Sequence, residues 1–223
     1  MSQLPPSELP RAVLFDWDNT LVDNWPTIHD ALNATFEAMG HPTWTLAETR
    51  ERVRASLRDS FPPMFGSRWE EARDIFYARF EARHIETLVP MPGAAALLNA
   101  LHARGVYLGV VSNKTGRYLR KEAAALDWER WLGRLVGAQD APVDKPDRAP
   151  VDMALAPAGI AASREVWFVG DTAMDMRCAH TAGCTAVLVG TAAAGDDFSS
   201  CRPHVHVTDL DALGRTLGIA PRG

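Results

Sequence analysis

The chain has 223 residues, 47% of them hydrophobic and 23% charged, with a formal net charge of -5. That length and usage suit one substantial core with a smaller appended unit and exclude a disordered chain. The acidic balance, with no concentrated Lys/Arg run, argues against a nucleic-acid partner or a membrane surface, and no apolar stretch approaches the roughly 20 residues that span a bilayer.

Three cysteines, Cys178, Cys184 and Cys201, are an odd number without framework spacing, which suits a reducing compartment. The polar, Pro-rich start from Met1 to Pro10 has no signal-peptide pattern, so a cytoplasmic location is expected.

In chain order, Ala12 to Phe15 comes first, an apolar run with the length of a strand buried on both faces of a parallel sheet. It stops on Asp16-Trp17-Asp18-Asn19-Thr20. Ligands of open α/β sheets bind just past such strand ends. In a regular strand Asp16 and Asp18 share a face; past its end a turning backbone, eased by Asn19, can aim both into one crevice. Two carboxylates so close repel unless one holds a proton or a cation sits between them, and Mg²⁺ is the natural hard guest. A plain surface turn is the other reading of these residues.

Pro26 fits a first helical position behind Asn24, and Ile28, Leu32, Thr35, Phe36 and Met39 form a stripe that Gly40 ends. Thr45 to Glu48 and Ser67 to Glu70 have capping-box spacing, predicting helices from near Leu46 and near Arg68, the second running to about His84. Residues 24–86 thus read as an all-helical cap without a strand, inserted into a core made of residues 1–23 and 87–223.

Met91 to Gly105 follows as a Pro-started, Gly-stopped helix, then Val106 to Val111 as a strand ending at Ser112-Asn113-Lys114-Thr115. A helix from about Gly116 to Leu126, a turn at Trp128 to Leu132 and a weak strand at Leu135 to Gly137 lead to Lys145 in a Pro-rich loop. Ala149 to Ala158 reads as a helix, Glu165 to Val169 as a buried strand ending at Gly170-Asp171-Thr172, and Ala173 to Ala182 as a helix closed by Gly183. Thr185 to Val189 and His204 to Val207 add strands, and Leu210 to Leu217 a last helix. Strands and helices alternating on either side of one insertion predict an α/β fold, a doubly wound, Rossmann-like parallel sheet carrying an inserted all-helical cap.

Polar clusters fall at strand ends or in the loop after one: Asp16/Asp18, Ser112/Asn113, Lys145 and Asp171/Asp175. Four carboxylates and a lysine suit a divalent cation, while hydroxyl, ammonium and backbone N–H groups suit an anion, which is equipment for phosphoryl transfer.

In order and spacing, Phe-Asp16-Trp-Asp18-Asn-Thr20, Val-Val-Ser112-Asn113-Lys114, Asp144-Lys145-Pro146 and Val-Gly170-Asp171-Thr-Ala-Met-Asp175 resemble the motifs of the haloacid dehalogenase superfamily, in its phosphoglycolate phosphatase-like branch. The resemblance implies a Mg²⁺-dependent phosphatase acting on small phosphate esters through a covalent aspartyl-phosphate. It makes Asp16 the nucleophile and Asp18 the general acid, then base. The Asp16 carboxylate, the Asp18 backbone carbonyl and Asp171 become metal ligands, with Asp175 orienting through water or Lys145; Lys145 and Ser112 would hold phosphoryl oxygens.

Asn113 is a weaker substrate-binding candidate, and Arg58 is the cap residue expected to meet the substrate's distal end. The chain departs from the family pattern at Asn19, where Gly is usual, at the bulky Trp17, and after Pro146, where the usual second proline arrives only at Pro150. Two alternatives remain open: a phosphotransferase or phosphomutase of the same superfamily, and a non-enzymatic phospho-acceptor domain. The second suits Asp18 and the inserted helices poorly. Substrate identity and oligomeric state are not fixed by the sequence.

Overall fold

The computed structural model describes residues 9–53, 57–191 and 196–219. The chain divides into two compact units, with boundaries at Val22/Asp23 and Val89/Pro90.

The first unit begins with β1 (Ala12–Phe15), every residue of which is buried. It runs up the middle of a six-stranded sheet because apolar side chains on both of its faces need cover from both sides. The chain then passes through β2 (Val22–Asp23) into the helical unit, which holds α1 (Trp25–Met39), α2 (Leu46–Arg52), α3 (Leu57–Phe65) and α4 (Trp69–Arg83). It returns through β3 (Val89–Pro90), the partner of β2 in a two-stranded ribbon.

Alternation follows: α5 (Ala94–His102), β4 (Tyr107–Thr115), α6 (Gly116–Ala125), β5 (Arg134–Ala138), α7 (Ala149–Leu155), β6 (Val166–Gly170), α8 (Ala173–Ala182), β7 (Thr185–Val189), β8 (Val205–Val207) and α9 (Leu210–Thr216). The sheet order is β5-β4-β1-β6-β7-β8 and each of its pairings is parallel. This is the doubly wound α/β arrangement expected from the alternation.

Register sets the site. Phe15 lies level with Val110 of β4 on one side and Val169 of β6 on the other, so β1 and β6 end along one edge while β4 runs on past it. Leu14, Val111, Val136, Phe168, Met176, Ala179 and Leu188 pack in one buried cluster that holds this edge still.

In the helical unit, α1 turns Ala31, Leu32, Thr35 and Phe36 inward, and α4 answers with Ala72, Phe76 and Phe80. Phe61 stands edge-on to Phe76 at 5.9 Å, and a bidentate pair ties Arg79 to Asp30 at 2.7 and 2.9 Å. Thr45 makes the expected capping box with Glu48.

The structure departs from the sequence pattern in four places. The Ser67–Glu70 box does not form: Ser67 lies in a 3₁₀ turn, Gly66–Arg68, and Arg68 instead grips Glu71 with two bonds of 2.8 Å. The sequence reading missed α3, because Pro62 and Pro63 usually exclude a helix interior. The helix expected from Met91 starts only at Ala94, after Gly93 in a left-handed conformation. Finally, β4 does not stop at Val111 but runs on to Thr115, its register against β5 shifting so that Thr115 meets Ala138.

Candidate active site

The turn after β1 is built from its own backbone. The Asp16 N–H donates to the Val169 carbonyl at 2.8 Å, and the Leu21 and Val22 N–H groups donate back to the Trp17 carbonyl at 2.9 and 3.1 Å. Asn19 takes a left-handed φ of 63°, the backbone its short amide side chain tolerates. The turn brings Asp16 out at the end of β1, where it is nearly buried.

Three carboxylates converge there. One oxygen from each of Asp16, Asp171 and Asp175 lies within 4.8 Å of the others. Lys145 reaches into the group: its Nζ donates to Asp16 Oδ1 at 2.6 Å and to Asp175 Oδ1 at 2.7 Å, with 4% of the side chain exposed. The loop carrying Lys145 is fastened by Asn113 of β4, whose Oδ1 accepts from the Lys145 N–H at 3.1 Å and whose Nδ2 donates to the Lys145 carbonyl at 3.3 Å. The Asn113 side chain is thus engaged with the loop.

Asp175 divides its two oxygens. Oδ1 takes the lysine, while Oδ2 accepts from the Thr172 N–H at 3.1 Å and the Thr172 hydroxyl at 2.6 Å, closing a capping box at the start of α8. Capping and site-building are done together by this one side chain. Gly170 permits it, since a Cβ there would stand 2.4 Å from Asp175 Cβ. Thr20 adds a long 3.4 Å bond to Asp171 Oδ1, and Ser112, 5% exposed, accepts the Lys114 N–H at 3.2 Å.

Burial, with Asp175 adding to it, pushes Asp16 up to about 7 against the pull of Lys145. Asp171 is raised too, first by burial and then by Asp175 and Asp16. Burial works against the Lys145 ammonium, but Asp16 and Asp175 overcome it and hold the charge on. With all three carboxylates ionised, the group beside one ammonium would carry a surplus of two negative charges, the deficit a divalent cation meets. Hard oxygen donors at this spacing fit such an ion.

A second pair of acids flanks the first turn. Asp18, 26% exposed, accepts from Lys114 Nζ at 2.8 Å; Lys114 also reaches Glu122 Oε2 at 2.7 Å, and Trp17 Nε1 donates to the same oxygen at 2.7 Å. The sequence assigned no role to Lys114 or Glu122. The signal was present: Tyr118, Leu119, Glu122 and Ala123 form the buried stripe of α6, and an acid on such a stripe demands a partner. Arg58 lies in α3, but its side chain is outside the described residues.

A sequence model of the haloacid dehalogenase-like hydrolases matches residues 13–189, spanning the whole constellation. The chain belongs to that family. It is 30% identical over 195 residues to a phosphoglycolate phosphatase of Pseudomonas fluorescens (strain Pf0-1), covering 83% of this chain and 71% of that one. To a phosphoglycolate phosphatase of Xanthomonas campestris pv. campestris (strain 8004) it is 32% identical over 182 residues, 80% of this chain and 82% of the other. Among solved structures, a haloacid dehalogenase-like family hydrolase from Streptococcus pneumoniae superposes with a TM-score of 0.80 at 24% identity, over 93% of this chain and 98% of that one. That likeness is one of fold.

This haloacid dehalogenase-like hydrolase is a phosphatase of the superfamily, similar to the phosphoglycolate phosphatases, with a buried acidic cluster able to bind a metal. Among its described residues no helix is long and apolar enough to cross a membrane.

Proposed function

We propose that the protein is a Mg²⁺-dependent phosphomonoesterase that cleaves small phosphate esters through an aspartyl-phosphate on Asp16. The observation that carries this reading is Lys145 Nζ set between Asp16 and Asp175, with Asp171 completing the acidic group. Asp16, the Asp18 backbone carbonyl and Asp171 would hold the ion, with Asp175 oriented beside it; when bound, Mg²⁺ supplies the positive charge that lets a phosphoryl dianion approach carboxylates.

The chain's own groups do the remaining work. The Lys145 ammonium and the Ser112 hydroxyl bind phosphoryl oxygens at the strand edge, and several fixed donors suit a transferring group whose charge is spread over its oxygens. An Asp16 oxygen attacks phosphorus, and the Asp18 carboxyl protonates the departing oxygen. Asp18 then takes a proton from the water that releases phosphate. Asn113 serves by holding the Lys145 loop. The core supplies this chemistry, and the helical unit is assigned as the cap that selects the substrate.

The named relatives make 2-phosphoglycolate the first ester to try. The test is phosphate release from a panel of phosphorylated metabolites with Mg²⁺, wild type against Asp16→Asn. Turnover by the wild type and none by a folded variant is expected. Full activity in Asp16→Asn sinks the mechanism.

A further inference from the structure

We propose that Lys114 is a positioning residue that fixes the Asp18 carboxyl group for proton transfer, with Glu122 and Trp17 as its buried anchor. The inference rests on the assignment of Asp18 as the proton donor. The two lysines of this region bridge different acids: Lys145 joins Asp16 to Asp175, whereas Lys114 joins Asp18 to Glu122.

Geometry makes this a fixed support. The Lys114 side chain is 5% exposed and that of Glu122 not at all. A side chain as long as lysine ordinarily leaves its ammonium in water, and burying it with a carboxylate carries a desolvation cost that the pair's attraction does not reliably return. Here Glu122 Oε2 accepts from Lys114 and from Trp17 Nε1, each at 2.7 Å, so both neighbours of the Asp18 turn are tied to one oxygen on α6. Trp17 is itself fully buried and stands edge-on to Trp128 with ring centroids 5.7 Å apart. The bulk at position 17, out of pattern in the sequence, supplies the second donor to Glu122.

What is positioned is a proton delivery. In the first step a bond forms between an Asp16 oxygen and phosphorus, the bond from phosphorus to the ester oxygen breaks, and the Asp18 proton passes to that oxygen. An alkoxide needs the proton badly; a p-nitrophenolate, a far weaker base, hardly does. A displaced Asp18 therefore penalises alkyl esters selectively. A general acid contributes about 10² to 10⁴ in rate, which leaves ample range for a partial loss.

The experiment compares kcat/KM for p-nitrophenyl phosphate with that for the best alkyl phosphate of the metabolite panel, in wild type, Lys114→Met, Glu122→Gln and Asp18→Asn. The ratio of the two values does not depend on how much of a variant is folded. In Lys114→Met the alkyl ester should lose at least about tenfold more than the aryl ester, with Glu122→Gln shifting the ratio the same way by less. Should Lys114→Met not fold, Glu122→Gln carries the same test. An unchanged ratio in these variants, with Asp18→Asn still shifting it, overturns the role of Lys114 alone. An unchanged ratio in Asp18→Asn overturns the proton-donor assignment and the inference with it.

Discussion

Replacing Lys145 by Met removes the ammonium and keeps most of the side chain's volume. In the native protein that ammonium donates to Asp16 at 2.6 Å and Asp175 at 2.7 Å from a position 4% exposed. Removing one partner of a buried ion pair costs about 3–5 kcal/mol, and with two carboxylates losing the same cation the upper end applies. For a chain of this size about 2–4 °C of melting temperature accompanies each kcal/mol, so a fall of about 10–20 °C is expected in chelator at pH 7.5.

The deficit should shrink as the pH is lowered, because protonated carboxyl groups no longer need the cation, and Mg²⁺ should recover part of it at pH 7.5. Catalysis should not return with it, since a fixed charge on the phosphoryl group is worth about 10² to 10³ in kcat. Thermal melts of wild type and variant, with chelator and with Mg²⁺, give the answer. A variant that melts within about 2 °C of wild type in chelator at pH 7.5 would show that the acidic group does not depend on Lys145.

The metal-free protein should also report Asp16 directly. Its carboxyl is held at about 7 in the fold against 3.8 when free, so the folded state binds the proton more tightly. The stability this contributes is complete below about pH 4 and lost as pH rises through about 7. Chemical denaturation in chelator across that range should show wild type losing up to a few kcal/mol relative to Asp16→Asn; a flat difference contradicts the assignment. Gly137→Ala tests the close approach of β5 to α6, because a Cβ there would stand 2.4 Å from Gly116 Cα and 2.6 Å from the Lys114 carbonyl oxygen. Backbone cannot rotate aside, so a loss of about 1–3 kcal/mol is expected in the same assay, and an unchanged midpoint removes the packing argument.

The first strand and its abrupt polar end were readable because four consecutive apolar residues before two acids leave few choices. Register was not: nothing local says that Phe15 lies level with Val110 and Val169, yet this alignment carries Asp16 and Asp171 to one edge. Lys145 sits in an irregular loop and was found only through the order of the motifs. Its fastening by Asn113 spans 32 residues and leaves no periodic trace. Glu122 hid differently. Its place on the buried stripe of α6 was visible, but its partners Lys114 and Trp17 come from other elements, the latter 105 residues away. The helix through Pro62 and Pro63 escaped because propensity there contradicts the packing that Phe61 and Phe65 provide.

The helical unit enters after Val22 and ends at Val89, and the short ribbon of β2 and β3 draws its two ends together. A block inserted through one narrow neck can vary in length, or be exchanged whole, without altering the spacing of the strands that carry the acids. If the helical unit selects the substrate as proposed, new preferences among esters can arise by drift within a single contiguous stretch of gene, while the reaction itself stays under separate selection.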